Sequence, residues 1–169
     1  MRYEYNLIIR LILSFIPLNA FLFIFTPLTI YGSYLALFYY HPVVDGLNLI
    51  AGGEIFTFVA ACVAALAYML LWLLIMLTKD ISVLNRIKMF LFGSLLIYLM
   101  NILRIFILVY VSLNYGTNLF DKIHILFWDF TASIFVALVW IFLINFYKIK
   151  SIPIYSDFMH LYKKSVFRK

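Results

Sequence analysis

The chain has 169 residues, 67% of them hydrophobic and only 12% charged, with a net charge of +6. A soluble domain carries about 25% charged residues to cover its surface, so this composition excludes an ordinary water-facing globule and points to lipid. The single cysteine excludes an internal disulfide, and the basic residues follow membrane topology rather than a nucleic-acid surface, so no nucleic-acid partner is expected.

A bilayer core about 30 Å thick needs roughly 20 apolar residues as a helix. Four stretches meet this and predict an all-α, polytopic bundle over residues 1–150. The first span covers about 11–38 and contains Pro17 and Pro27, which kink it or end it early. It is too long for a signal-peptide core, lacks a small-x-small cleavage site and is read as retained. His41 to Gly53, with Pro42, Asp45-Gly46 and Gly52-Gly53, reads as a loop, partly extended and lying over the bundle. The second span covers about 55–77, the third 89–113 and the fourth 123–146.

Eleven of the thirteen Lys and Arg residues fall on one side of such a bundle. Arg2 and Arg10 precede the first span, Lys79, Arg86 and Lys88 follow the second, and six lie after the fourth. By the positive-inside rule both termini are then cytoplasmic, and the 41–53 and 114–122 loops lie outside, at the plasma membrane. Residues 151–169 form a basic cytoplasmic tail. It mixes Tyr155, Phe158, Leu161, Tyr162 and Phe167 with lysines, and fits either a segment resting on the anionic leaflet or a plain solvated tail.

The informative residues are the polar ones inside the spans, where a charge costs about 2.5–3.5 kcal/mol on insertion scales. Arg104 lies well inside the third span and cannot be neutralised. Asn101, three residues earlier, shares its face and could orient it. Arg104 equally fits a structural ion pair with Asp129 or Glu54. Cys62 sits among Ala60, Ala61, Ala64 and Ala65, a strip that also reads as helix packing around a silent thiol. His124 opens the fourth span. Asp129, five residues on, is about 140° around the helix and is badly placed to orient that imidazole.

Depth connects these residues. Cys62 follows Glu54 by eight residues, roughly 12 Å down a helix. Arg104 stops roughly 9–15 Å short of the outer end of its span, and His124 lies within a turn of the same surface. A thiol beside an imidazole and a fixed cation is a nucleophile, a proton carrier and an oxyanion partner in one place. Glu54 and Asp45 lie near the entrance, where they could meet a polar motif of a substrate or simply be solvated. No phosphate loop or metal-binding motif is present, and zinc would need Glu54 or Asp129 to join Cys62 and His124. No cofactor is expected.

Small residues around Cys62, then Asn101-x-x-Arg104, then His124 opening the next span, resemble the exosortase/archaeosortase family. In the family the cysteine is commonly followed by a small hydroxyl residue and Gly, where this chain has Val63-Ala64. The resemblance implies a membrane cysteine transpeptidase or protease with Cys62, Arg104 and His124 as its catalytic set. Its substrates would be exported proteins ending in a short motif, one membrane helix and a basic tail. A thioester on Cys62 would pass the trimmed protein to an amine, a membrane lipid being the implied acceptor. The rival reading is a non-enzymatic membrane subunit or small transporter in which Arg104 is a structural charge.

Overall fold

The computed structural model describes residues 3–127, 132–151, 153 and 155–164. The chain is mostly helical. Helix α1 (Tyr3–Ser14) is followed by α2 (Leu18–Ala36), then three short strands, β1 (Val43–Asp45), β2 (Asn48–Ala51) and β3 (Glu54–Thr57). The remaining helices are α3 (Ala65–Leu77), α4 (Val83–Tyr115), α5 (Thr117–Leu126), α6 (Ala132–Phe146) and α7 (Tyr155–Lys164). Helices α2 and α4 are long and apolar enough to cross a membrane.

The stretch expected as a first span is two helices. Pro17 is the N-cap of α2, with extended backbone at φ −67° and ψ 147°. Proline lacks an N–H and pushes the residue before it out of helix, so α1 stops at Ser14. The second stretch departs further. Residues 54–57 are strand and 60–64 a turn, so α3 has only 13 residues, about 20 Å of helix. The cause lies in Gly52 and Gly53, both at positive φ (59° and 86°). They close a two-residue hairpin, and the β-branched and aromatic side chains of Ile55-Phe56-Thr57 then extend the strand. The expected all-α bundle thus carries a small antiparallel sheet in the order β1-β2-β3. The fourth stretch comprises α5 and α6, and Asp129 lies outside the described residues.

Helix α3 is the axis of the bundle and packs against α1, α2, α4 and α6. Gly93 permits this, because a Cβ there would meet Leu71 Cδ2 at 2.6 Å and Leu143 Cδ1 at 2.9 Å. The main core gathers Phe21, Tyr68, Leu71, Ile75, Met89, Val136 and Leu143. A second core joins the sheet to α2 and α4 through Ile30, Leu49, Phe58, Ile105 and Val109, so the sheet caps one end of the bundle. Many large apolar side chains point outward, among them Phe23, Leu35, Leu66, Leu91 and Leu138.

The opposite end is held by two arginines. Arg10 donates through Nε to Met76 O (2.9 Å) and through both Nη atoms to the Asp157 carboxylate (3.3 and 2.7 Å). Arg86 donates to Ile75 O, Met76 O, Thr78 O and Ile81 O. Together they satisfy the carbonyls left over where α3 ends. Asp157 belongs to α7, so this part of the tail is a helix docked on the bundle by an ion pair, with Phe158 and Tyr162 exposed.

Candidate active site

The turn between β3 and α3 holds Cys62. Its N–H donates to Val59 O (2.8 Å), and Ala64, the N-cap of α3, has left-handed backbone at φ 57°. A residue with a Cβ adopts this conformation only where the surroundings enforce it. One enforcing contact comes from α4, where Asn101 Nδ2 donates to Cys62 O at 2.8 Å. Asn101 was expected to orient Arg104; it is instead a brace on the cysteine backbone, and its own Oδ1 has no hydrogen-bond partner among the described residues.

One turn further along α4, Arg104 is only 7% exposed, and its Nε has no hydrogen-bond partner among the described residues. Among the described residues it makes no salt bridge. Glu54, one of the two expected ion-pair partners, accepts from Ser112 Oγ at 2.8 Å. The Cys62 thiol and the His124 ring are both within electrostatic reach of the guanidinium. His124 comes from α5, half buried, its ring edge-on to Phe120 at a centroid distance of 5.4 Å.

These side chains meet in a cavity of about 360 Å³ that Cys62, Arg104, His124 and Glu54 all line. Asp45 does not reach it. That residue ends β1, pairs with Asn48 and is exposed, on the strand farthest from the cavity. Among the described residues no three His, Cys, Asp or Glu side chains cluster as a metal site.

Sequence reasoning passed over Ser112, Phe120 and, in β3, Ile55, Phe56 and Thr57. Ser112 carried a usable signal, since Arg104, Leu108 and Ser112 recur every four residues and form one stripe of α4. All three line the cavity. Chemically, the site offers a half-buried thiol, an imidazole and a desolvated cation with an unused donor, around a space large enough for a few residues of peptide. No family model, curated protein or solved structure matches this chain.

Proposed function

We propose that the chain is a membrane-embedded cysteine transpeptidase or protease of the exosortase/archaeosortase kind, acting on the C-terminal anchors of exported proteins. The observation that carries this reading is the shared cavity. The sole cysteine, a buried arginine whose Nε is unpartnered among the described residues, and a histidine line one space although they come from three separate elements.

The membrane setting is part of the proposal. It is a four-span bundle with both termini cytoplasmic, and with the sheet and cavity facing outward. The outward-pointing apolar side chains support lipid contact. Arg10 and Arg86 gather at the end opposite the sheet, as the positive-inside rule requires of a cytoplasmic end.

Catalysis would run in two steps. The Cys62 thiolate attacks the scissile carbonyl carbon, forming an S–C bond, and the oxyanion so created faces Arg104. Collapse breaks the C–N bond, and His124 gives its proton to the departing amine. The thioester is then attacked by an acceptor amine, a lipid amine in this reading, whose proton passes to His124 as the S–C bond breaks and the thiolate returns. Water in place of the amine would end the cycle in hydrolysis.

The test is co-expression with an exported reporter bearing a C-terminal membrane helix and a basic tail, read by intact mass. Wild type is expected to remove the tail and Cys62→Ala to leave it whole. A tail removed equally by both, or by neither across a panel of such reporters, would sink the enzyme reading in favour of a non-enzymatic subunit.

A further inference from the structure

Strand β3 has one edge paired with β2 and, among the described residues, one edge that pairs with no strand. The cavity is lined by Glu54, Ile55, Phe56 and Thr57 in succession. Because successive strand side chains point to opposite faces, consecutive lining residues mean that β3 turns its edge, not a face, to the cavity. The ladder identifies the backbone groups on that edge. Phe58 N–H donates to Leu47 O at 2.8 Å, and Ala51 pairs with Glu54 across the glycine turn. In an antiparallel ladder every second residue bonds its partner strand, so Glu54 and Phe56 face β2. Ile55 and Thr57 then direct their N–H and C=O groups into the cavity. Among the described residues neither has a backbone hydrogen bond outside the sheet.

We propose that this free edge is the docking strand for the substrate polypeptide, which lies along β3 in extended form and is led by it to Cys62. This rests on the reading of Cys62 as a nucleophile. An edge that alternates donor and acceptor at the strand repeat, about 6.8 Å for every two residues, is matched by another polypeptide backbone. A lipid headgroup has no such repeat. The direction of the strand also fits. Thr57 precedes Cys62 by five residues, the chain turns at 60–64, and the added strand runs into the same space as the sulfur. Arg104, 7% exposed and with its Nε unpartnered among the described residues, lines the same cavity and is available to a carbonyl oxygen of that strand. Main-chain bonds then supply affinity, and the cavity beside β3 takes up alternate side chains, as in other strand-addition complexes.

The sole cysteine makes the experiment direct, because intact mass counts one adduct. The purified full chain in phospholipid nanodiscs is labelled with an acetyl-trialanyl vinyl sulfone and with its three singly N-methylated isomers. Each rate is divided by the rate with glutathione. Iodoacetamide serves as the measure of bare thiol reactivity. Strand docking predicts alternation along the probe. Methylation of amides that face β3 slows labelling about tenfold, the worth of one lost hydrogen bond, and methylation of those facing away does not. Ile55→Pro removes an outward N–H and no bond to β2, so it should slow the unmethylated probe by a similar factor with iodoacetamide unchanged. Isomers that all label alike, or are all slowed alike, overturn strand docking. If Arg104→Gln still slows iodoacetamide in that case, the nucleophile reading survives. Should iodoacetamide alkylate wild type and Arg104→Gln at the same rate, the nucleophile reading falls and the docking strand with it.

Discussion

Arg10, Arg86 and Arg104 are buried to nearly the same degree, at 6, 5 and 7% exposure, but they are treated differently by their surroundings. At the basic end, each guanidinium nitrogen of Arg10 and Arg86 donates to a carbonyl or a carboxylate. At the sheet end, Arg104 Nε has no partner among the described residues, and the nearby carboxylate of Glu54 accepts from Ser112. A buried cation costs several kcal/mol in desolvation. Where every donor is met, that cost is offset locally and the residue belongs to the architecture. Where a donor has no partner among the described residues and lies beside a thiol and an open cavity, it suits the oxyanion of the proposed reaction. The contrast sets the clamp at the basic end apart from the candidate site at the sheet end.

The contrast can be broken by mutation. Arg86→Gln should have the largest effect on the fold, since it strips the carbonyls at the end of α3 of most of their donors. A loss of about 3–5 kcal/mol, the range for breaking a buried charge network, would appear as a fall in detergent-solubilised melting temperature and in yield. Arg104→Gln should do the opposite. Its melting temperature should stay level or rise, because an imperfectly satisfied buried charge is removed. Processing of the reporter should fall about 10²–10³-fold, as when an oxyanion donor is lost. If Arg104→Gln unfolds the chain and Arg86→Gln spares it, the two ends have been assigned the wrong way round.

Why part of this was readable and part not is a question of which interactions leave a trace in sequence. That Cys62, Arg104 and His124 share one cavity could be anticipated by counting rise per residue from the ends of the apolar stretches. Arg104 could be singled out because nothing else in its stretch is charged. Residues 55–63 were harder. A short apolar run fits helix or strand equally, and the two-residue turns at Gly46 and Gly52-Gly53 were the signal that should have decided it. Neither the role of Asn101 nor that of Asp45 could have been found. Asn101 binds a main-chain carbonyl, an acceptor that every residue offers. Asp45 is positioned by strand register, which the turn sets and the charge does not influence. The ion pair of Arg10 with Asp157 spans 147 positions, a separation no local pattern reports.

Asn101 sharpens the comparison at smaller scale, because its side-chain amide donates to the cysteine backbone and not to the thiol. Asn101→Ala removes the donor to Cys62 O, a part-buried hydrogen bond worth about 1 kcal/mol. Processing should drop about tenfold with Cys62 still present and alkylatable. Asn101→Asp, which has no N–H to donate, should behave like Asn101→Ala, whereas Asn101→Gln keeps a donor and should recover part of the loss. Equal activity for all three would mean that the turn holds its shape unaided.

The smallest effect is expected at Ala64. Its φ of 57° is one that glycine enters freely and alanine does not. Ala64→Gly should therefore stabilise the chain by about 1 kcal/mol or less, the strain relieved being partly cancelled by the added freedom of the unfolded chain. Helix interiors respond in the other direction, losing about 1 kcal/mol on the same change. Ala67, one turn into α3, is thus an internal control, and the two substitutions should shift the melting temperature with opposite signs. A fall at both positions would mean that residue 64 is helical in the bilayer and that α3 begins earlier. Cys62 would then lie on a helix face, and the free edge of β3 would no longer lead to it.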